Sequence, residues 1–525
     1  MAEDQRAVID FLAAPSTHGG TAVSRIDTHA SIVFLAGARA YKLKRAVRFD
    51  YLDFSTLERR RTYCEAEVRL NRLTAPTLYR GAVPVTRGDD GAYELGGKAT
   101  PVDWVVEMNR FSDDALFDRM AAAGTLDLQL MPALAVAIAR FHLSAAHRPD
   151  HGGRAGLSWV IEGNAAGFAE FGKGWLDPSA AYRVTDDASR LVEKQATLLE
   201  ERRASGYVRQ CHGDLHLRNI VLLEGRPTLF DAVEFNDEIS CIDVLYDLAF
   251  LLMDLWRRRL PHHANAVWKR YLAETADFDG IRLMPLFLSC RAAVRAKTSA
   301  TAAGLQNDAQ RRAELQRTAR KYLELAEQLL HPRSPLLMAI GGFSGSGKST
   351  LALSLAPSIG GAPGALVLRS DEIRKRLAGV PALQRLGPEE YAPAMSERVY
   401  ASLAKRAAQI LDGGHSVIID AVFSRPEHRR AIEAVAAAAS VPFIGLWLEA
   451  PESLLIARTA QRSNDPSDAD ASVVQQQWRG GTGEIGWDRL DAALPATTVL
   501  SAAMDRVGAR PEEDRLATDQ ATRLK

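Results

Sequence analysis

Two stretches of the chain carry residues whose types and spacing suit phosphate chemistry. Residues 342–349 read GFSGSGKS, which fits G-x-x-x-x-G-K-[ST] at every fixed position. Backbone N–H groups of such a loop point at phosphate oxygens, its lysine reaches the β- and γ-phosphates, and its last hydroxyl binds Mg²⁺. Residues 211–219 read CHGDLHLRN and separate Asp214 from Asn219 by four residues. This second pattern is typical of a loop that removes a proton from a hydroxyl and binds a metal.

The glycine-rich stretch stands in the context that a nucleotide-binding loop requires. The apolar segment LLMAI runs into it and the helical segment STLALSLA leaves it, so strand, loop and helix follow in order. The alternative is a Gly/Ser loop that binds nothing. We therefore expect a P-loop for ATP (or GTP) with Mg²⁺, formed by Gly342, Ser344, Gly345, Ser346, Gly347, Lys348, Ser349 and Thr350, with Ser349 also a metal ligand.

Charged residues after the next strands favour a kinase over a motor or a GTPase. Asp371 and Arg374 are one helical turn apart, and we expect Asp371 to take the acceptor proton and Arg374 to hold a phosphoryl group. Asp420 ends the strand VIID and is a predicted metal ligand. Arg458 and Arg462, at i, i+4, are predicted to act as a lid over the transferring phosphate. The alternatives are a surface ion pair for the first two residues and a solvated helix face for the arginines.

The stretch from residue 211 has a continuation that identifies its type. A second aspartate, Asp231, ends an apolar strand twelve residues after Asn219. The order H-G-D-x-x-x-x-N and then strand-Asp resembles the aminoglycoside phosphotransferase family over about residues 25 to 300. This resemblance implies that Asp214 is the catalytic base, that Asn219 and Asp231 bind metal, and that His212 supports the loop. The alternatives are a turn with a capping aspartate and a degenerate site that binds nucleotide without transfer, since AVEF follows Asp231 and no G-x-G-x-x-G precedes Lys42.

A kinase-like small lobe also needs a strand lysine for the phosphates and a helix glutamate to hold it. Lys42 and Lys44 share one face of the strand AYKLKRAV by its period of two, and the pattern does not separate them. Glu67 in the next predicted helix is the expected partner, with Glu65 as the alternative. Lys42, Lys44 and Glu67 are therefore predicted nucleotide-binding residues.

Two further basic segments have both a functional and a structural interpretation. Residues 289–300 place Arg291, Arg295 and Lys297 along one helix, which either receives an anionic acceptor or is solvated. Residues 425–430, RPEHRR, follow Asp420 and either meet a phosphorylated or polynucleotide acceptor or face solvent.

The pattern of apolar residues divides the chain into a mixed first part and an α/β second part. A hairpin, a helix and further short strands predict a sheet-rich lobe, followed by a helical lobe, as in a bilobal protein-kinase-like domain of α+β class over residues 1–332. Residues 333–505 alternate apolar strands with helices, which predicts a parallel sheet covered on both faces. Residues 506–525 are polar and predict a frayed tail.

Composition excludes several classes of protein. Lys+Arg and Asp+Glu both number 65, so no overall positive field indicates nucleic acid, and hydrophobic residues make up 47% as in ordinary globular proteins. The first residues lack the basic start of a secretory leader, no apolar window is long enough to span a bilayer, and the four cysteines form no metal-binding spacing. We expect a cytoplasmic protein without a membrane partner. The sequence carries no signal for oligomeric state.

The second half resembles small P-loop kinases, including polynucleotide 5'-kinases, chloramphenicol phosphotransferase and zeta-toxin-type sugar-nucleotide kinases, over about residues 335 to 500. Both halves together resemble bacterial bifunctional proteins that join an aminoglycoside phosphotransferase-like domain to an AAA_33-type ATP-binding domain. The resemblance implies two sites that transfer the γ-phosphoryl group to the hydroxyl of a small metabolite such as a sugar or nucleoside. The alternatives are a polynucleotide 5'-hydroxyl kinase in the second half and an ATP-binding regulatory module with one degenerate site.

Overall fold

The computed structural model describes residues 4–49, 51–461 and 465–508. The chain divides into two compact units. The first, the N-terminal unit, contains the chain up to Arg259 with Ala266–Thr275 and Leu286–Leu330, and the second, the C-terminal unit, contains Leu260–Asn265, Ala276–Pro285 and the chain from His331 onward. The predicted lid residue Arg462 lies outside the described residues, as does the predicted tail 506–525 from residue 509 onward. Residues 506–508 of that predicted tail are instead the end of a helix, Ala496–Gly508.

The N-terminal unit begins with an antiparallel sheet. Its strands follow the order β1-β2-β3-β8-β6-β7, with β4 and β5 as a separate short pair. The elements of this lobe are α1 (Arg6–Ala13), β1 (Val23–Asp27), β2 (Ser31–Ala36), β3 (Arg39–Lys44), β4 (Arg48–Phe49), β5 (Leu52–Asp53), α2 (Leu57–Asn71), β6 (Tyr79–Arg87), β7 (Tyr93–Leu95) and β8 (Thr100–Asn109). The predicted hairpin is confirmed as β2 and β3, which pair Val33 with Lys42.

The two faces of this sheet are covered by different helices. Phe34 and Leu43 pack with Leu12 of α1 on one face. Ala40 packs with Val68 of α2 on the other face. Because side chains alternate along a strand, the even positions of β3 from Ala40 to Lys44 point toward α2. The two-residue period of the strand therefore places the side chains of both candidate lysines on the face that packs against α2, the helix that carries Glu67.

Helices make up most of the N-terminal unit after β8, as predicted. Two short antiparallel strand pairs, β10 with β11 and β9 with β12, interrupt them. The elements from residue 117 to 330 are α3 (Phe117–Ala123), α4 (Met131–Ser144), α5 (Gly153–Phe171), α6 (Pro178–Lys194), α7 (Ala196–Ala204), β9 (Val208–Gln210), β10 (Ile220–Leu223), β11 (Arg226–Leu229), α8 (Asp237–Ser240), β12 (Cys241–Asp243), α9 (Val244–Arg257), α10 (Pro261–Thr275), α11 (Met284–Gly304) and α12 (Ala309–Leu330).

The C-terminal unit contains the predicted parallel sheet, in the order β14-β15-β13-β16-β17. Four of its strands match the apolar segments of the sequence, whereas β17 is short and largely exposed and was not predicted. The elements are β13 (Leu337–Gly341), α13 (Lys348–Leu355), β14 (Leu366–Arg369), α14 (Ser370–Leu377), α15 (Pro393–Asp412), β15 (Val417–Asp420), α16 (Pro426–Ala438), β16 (Phe443–Glu449), α17 (Glu452–Ala460), α18 (Ala471–Gly480), β17 (Asp488–Asp491) and α19 (Ala496–Gly508).

The order of these strands positions the candidate residues of this unit. Strand β15 lies between β14 and β13, and Asp420 at its end pairs in register with Arg369 on one side and Ile340 on the other. Since carboxyl ends of parallel strands share one edge, the loop after β13 and the start of α14 converge on Asp420. Among the described residues, no helix combines the length and the apolarity needed to cross a membrane.

Candidate active sites

A buried network of lysines and carboxylates lies between the sheet and α2 of the N-terminal unit. Lys42 Nζ donates to Glu67 Oε1 at 2.9 Å and to Asp231 Oδ1 at 2.5 Å. Lys44 Nζ donates to Glu67 Oε2 at 2.6 Å and to Glu234 Oε1 at 2.5 Å. Glu67 therefore holds both lysines with its two oxygens, and Lys42 alone is linked to the aspartate predicted to bind metal.

Exposure separates the two lysines that the sequence left as alternatives. The Lys44 side chain is 1% exposed and its two carboxylate partners enclose it, whereas the Lys42 side chain is 16% exposed. Burial works to lower the pKa of Lys42, but Asp231 and Glu67 outweigh it and raise that pKa well above its usual value. Both lysines are thus charged, and Lys42 is the one open to a ligand.

The helix stripe of α2 explains why Glu67 and not Glu65 is the partner. The buried positions of this helix include Cys64, Glu67, Val68 and Asn71, which share one face. Glu65 points away, is 48% exposed and pairs with Arg61. The helical period of 3.6 residues places Glu67 on the buried face with Cys64 and Val68 and places Glu65 on the exposed one.

The turn that presents Asp231 is held by side chains that the sequence analysis missed. Asp231 has a φ of 61°, an uncommon conformation for a residue with a side chain. Its N–H donates to the Tyr79 hydroxyl at 3.1 Å, and the N–H of Ala232 donates to Asn71 Oδ1 at 2.8 Å. These two bonds fix the backbone where the metal-binding carboxylate is predicted.

The catalytic loop brings Asp214 and Asn219 together. Asn219 Nδ2 donates to the Asp214 carbonyl at 2.9 Å and to Asp214 Oδ2 at 3.1 Å. His216 Nε2 lies 3.3 Å from the same carboxylate oxygen. Burial works to raise the pKa of Asp214, but His216 and then Arg295 outweigh it and hold that pKa well below its usual value. The carboxylate is ionised and oriented, as a base for a hydroxyl must be.

His212 occupies the supporting position that the resemblance implied. Its Nδ1 accepts from the N–H of Asp214 at 3.3 Å, so Nε2 carries the proton and donates to the Phe230 carbonyl at 2.9 Å. Burial lowers the pKa of His212, which keeps the ring neutral. Asp247 of α9 accepts from the N–H groups of His212 and Gly213 at 3.1 and 2.9 Å. Asp247 was not among the predicted site residues, although an aspartate within so apolar a helix required a partner.

The predicted basic face of α11 is divided by the fold. Arg291 is 4% exposed, donates from Nε to the Tyr246 carbonyl at 3.0 Å and stacks on the Tyr246 ring. It supports the core and is neither solvated nor available to an acceptor, which corrects both interpretations for this residue. Arg295 instead lines a cavity beside the catalytic loop. Lys297 is partly buried, and burial lowers its pKa.

In the C-terminal unit two positions of the P-loop need glycine, because the backbone conformation or a close neighbour leaves no room for a Cβ atom. Gly347 has a φ of 90°, and a Cβ on Gly345 would lie 2.4 Å from the Leu455 carbonyl oxygen. Lys348 Nζ donates to the Phe343 carbonyl of the same loop at 2.9 Å. The Ser346 hydroxyl is buried with no hydrogen-bond partner among the described residues, which fits a loop shaped for phosphate oxygens.

The two predicted metal ligands of this unit are in contact. Ser349 Oγ donates to Asp420 Oδ2 at 2.5 Å. Hydroxyl and carboxylate oxygens are the donors that Mg²⁺ prefers, so the pair fits the ion implied by the loop. Arg369, which the sequence analysis missed, places its Nε 3.3 Å from the same Asp420 oxygen. The in-register pairing of β14 and β15 brings these residues together.

Asp371 lies near this carboxylate in a desolvated setting. Burial, together with the negative charge of Asp420, raises the pKa of Asp371 above its ordinary value, against the opposing effects of Arg369 and Lys348. A raised pKa makes a carboxylate a stronger base, which suits proton removal from an acceptor.

Arg374 does not form the predicted alternative ion pair with Asp371 in the described structure. It is buried, donates from Nη1 to the Glu390 carbonyl at 2.6 Å and stacks on Tyr391. Its Nε has no hydrogen-bond partner among the described residues. The Nη1 atom and the ring contact therefore hold the guanidinium in place, and its Nε–H group remains available to a ligand.

Other predicted groups of this unit have contacts or exposure that do not involve the phosphate-binding atoms of the loop. Arg458 donates to the Ala492 carbonyl at 2.8 Å, and Thr350 is exposed on α13. In RPEHRR, Arg429 is buried and donates to four backbone carbonyls, while Arg425 pairs with Glu397. Arg429 is thus structural and not part of a surface for a polynucleotide. Gln477, which was missed, accepts from the Ser344 N–H at 2.9 Å and ties α18 to the P-loop.

Comparison with known proteins assigns a class to each unit. Residues 55–284 match the family described as "Phosphotransferase enzyme family", and residues 337–480 match the family described as "AAA domain". The chain thus carries a phosphotransferase domain of aminoglycoside phosphotransferase type followed by a P-loop domain of kinase type, as the sequence resemblance implied. It is a phosphotransferase.

Individual relatives match over most or part of the chain. An uncharacterized protein of Mycobacterium tuberculosis is 29% identical over 481 residues, covering 89% of this chain and 92% of that protein. A gluconokinase from Sinorhizobium meliloti is 21% identical with a TM-score of 0.25, covering 37% of this chain and 99% of its own. A choline/ethanolamine kinase family protein from Mesorhizobium loti is 12% identical with a TM-score of 0.38, and the match covers 62% of this chain and 94% of that protein.

Proposed function

We propose that the chain is an ATP-dependent kinase with two separate sites, each transferring the γ-phosphoryl group to a hydroxyl of a small metabolite. One observation carries the proposal: each unit sets a lysine beside oxygen atoms of the kinds that Mg²⁺ prefers. In the N-terminal unit Lys42 contacts Asp231 at 2.5 Å. In the C-terminal unit Ser349 contacts Asp420 at 2.5 Å, directly after Lys348. A lone structural ion pair would require neither arrangement.

In the N-terminal site the residues divide the work of transfer. Lys42, held by Glu67, binds phosphate oxygens, and Asn219 and Asp231 would hold Mg²⁺, which supplies charge neutralisation when bound. Asp214 accepts the proton of the acceptor hydroxyl. The acceptor oxygen forms a bond to the γ-phosphorus while the bond to the bridging oxygen breaks, and ADP leaves with that oxygen.

In the C-terminal site the same reaction uses different parts. Backbone N–H groups of the P-loop and Lys348 bind the phosphates, and Ser349 and Asp420 would hold Mg²⁺. Asp371 receives the proton of the acceptor, and Arg374 binds the phosphoryl group or an anionic group of the acceptor with its remaining N–H. The small basic cluster after Asp420 gives no support to a polynucleotide acceptor, because Arg429 is occupied by backbone carbonyls.

The test measures nucleotide binding and product formation on the full chain. Calorimetry with a non-hydrolysable ATP analogue and Mg²⁺ should give two binding sites per chain. Labelled ATP, offered with a panel of sugars, nucleosides, their phosphates and 5'-hydroxyl oligonucleotides, should yield a phosphorylated small molecule. Fewer than two sites, or transfer to water alone with every acceptor, contradicts the proposal.

A further inference from the structure

A cavity of about 270 Å³ adjoins the catalytic loop of the N-terminal unit. His216 lines it, and the Nε2 atom of this residue lies 3.3 Å from Asp214 Oδ2. Helices α9, α11 and α12 supply most of the remaining wall. A molecule in this cavity, which we call the arginine cavity, would contact His216, whose ring in turn contacts the proposed base.

The wall of the arginine cavity is strongly positive. Five arginines line it against two carboxylates, and the arginines are Arg218, Arg257, Arg258, Arg295 and Arg311. Both carboxylates are already paired, since Arg258 Nε donates to Asp254 at 3.0 Å and Arg311 donates to Glu314 at 2.9 Å. Arg218 Nε also lies 3.6 Å from Asp118 Oδ2, outside the lining. Arg257 and Arg295 therefore carry the positive charge that the two carboxylates of the lining do not pair.

Two of the arginines are fixed by an aromatic ring and face the cavity together. The guanidinium carbons of Arg257 and Arg295 lie 4.2 and 5.8 Å from the centre of the Tyr322 ring. The Nε of Arg257 is buried without a hydrogen-bond partner among the described residues. Leaving a buried charged donor unsatisfied is unfavourable, and an anion in the cavity would satisfy it.

We propose that the arginine cavity binds the phosphate group of a phosphomonoester acceptor, a small polyol phosphate that presents a free hydroxyl to Asp214. This inference rests on the proposed kinase function of the N-terminal site. Guanidinium groups bind phosphate through two parallel N–H bonds, and Arg257 and Arg295 are restrained in advance by Tyr322. An amino sugar or other cationic acceptor would be repelled by the same wall. The product is a bisphosphate, formed with loss of the hydroxyl proton to Asp214 and departure of ADP.

A polyol phosphomonoester is the kind of product that transfer of a γ-phosphoryl group to a polyol hydroxyl gives. That is the class of reaction proposed for the C-terminal unit, so the two activities fit one reaction sequence by their chemistry.

The binding test uses the full chain carrying Lys348→Ala, so that P-loop contacts to phosphate are weakened. Inorganic phosphate, glycerol 3-phosphate, glycerol and ethanolamine are titrated by calorimetry. The two phosphate probes should bind in preference to the neutral and cationic ones. Arg257→Gln and Arg295→Gln should each weaken that binding about tenfold or more, because each removes charge-assisted hydrogen bonds. Arg317→Gln, an exposed arginine on the same helix α12, is the matched control and should leave it unchanged.

Arg257→Lys is a control for loss of folding, because it keeps the positive charge. This variant should unfold at the same temperature as the parent chain and should bind phosphate with intermediate affinity. Equal or tighter binding of glycerol or ethanolamine overturns the inference, as does absence of phosphate binding or an equal loss in Arg317→Gln. A chain that binds phosphate through these arginines but transfers no phosphoryl group contradicts the proposed function alone. Transfer to neutral or cationic acceptors in preference to phosphorylated ones contradicts the inference alone.

Discussion

The two lysines proposed to bind phosphate are positioned in opposite ways. Lys348 belongs to an eight-residue loop and donates to the carbonyl of Phe343, five residues away. Lys42 is held by Glu67 and by Asp231, which are 25 and 189 residues away. One site is local and uses backbone N–H groups, whereas the other is assembled from distant segments and uses buried charges. Replacing Lys348 should therefore disturb mainly the P-loop itself. Replacing Lys42 should disturb the whole network of buried charges in the N-terminal unit.

The proposed bases differ in the same way. Asp214 is stabilised as an anion by His216 and Arg295, which outweigh its burial and lower its pKa. Asp371 is partly buried near another carboxylate, Asp420, and desolvation together with that charge raises its pKa. Positive neighbours make the N-terminal base weak but always ionised, whereas a negative neighbour makes the C-terminal base strong and easier to protonate.

The largest effect is expected from removing one essential group of each site. Asp214→Asn should lower the N-terminal activity roughly 10²- to 10⁴-fold, because no carboxylate is left to accept the proton. Lys348→Ala should lower the C-terminal activity roughly 10²- to 10³-fold through loss of phosphate charge stabilisation. Product assays and ATP-analogue calorimetry on both variants check this. Each variant should retain binding at the other site, and loss of all nucleotide binding in either one would break the comparison.

The next effect separates the two buried lysines. Lys44→Met should destabilise the N-terminal unit by roughly 3–5 kcal/mol, because it leaves Glu234 as an unpaired buried carboxylate. Lys42→Met should destabilise it less, since Asp231 is 42% exposed, but should abolish ATP binding at this site. Urea unfolding and calorimetry measure the two quantities. If Lys44→Met removes ATP binding while keeping full stability, the assignment of Lys42 is wrong.

A smaller effect is expected in the P-loop from backbone shape alone. Gly345→Ala should lower ATP affinity of the C-terminal site by roughly 1–3 kcal/mol, because its φ is 85° and its Cβ would contact the Leu455 carbonyl. Gly480→Ala is the matched control, since its Cβ would have no neighbour within 4 Å. Analogue titration compares them. Equal affinities would show that the loop adapts and that local geometry does not limit binding.

The smallest effect is a difference in pH dependence. A general base works only when ionised, so activity falls as pH falls through its pKa. The ordinary aspartate value is 3.8; the acid limb of the C-terminal activity should lie above it and that of the N-terminal activity below it. Profiles of kcat/KM for each activity, measured in the variant that lacks the other, test this. If the acid limbs of the two activities coincide or occur in the reverse order, the proposed difference between the pKa values of Asp214 and Asp371 is wrong.

The sequence supported correct expectations where a feature depends on near neighbours. The hairpin of β2 and β3, the P-loop between β13 and α13, and four strands of the parallel sheet follow from apolar periodicity and glycine placement. Glu67 was the expected partner of the strand lysines and does contact both, whereas the alternative, Glu65, is exposed and pairs with Arg61. The strand β17 was not, since its exposed residues carry no apolar pattern.

Functional positions that depend on distant contacts were accessible only in part. Arg291 and Arg295 are one helical turn apart and look equivalent in sequence. One is buried against Tyr246, and the other lines the arginine cavity beside Asp214. Asp247 and Tyr79 support catalytic segments through bonds that span 34 to 152 residues. No local pattern predicts which distant backbone a polar side chain will meet.

By itself, the sequence determined that two phosphate-binding motifs of unrelated design occur in one chain, because each motif is a run of fixed spacings. Only the tertiary structure decided which of the two lysines is the more exposed and which arginines surround one cavity. Strand period places Lys42 and Lys44 on the same face, but their exposure depends on Asp231 and Glu234, which arrive from the other lobe. Burial and charge pairing are properties of the packed molecule, and spacing along the chain does not contain them.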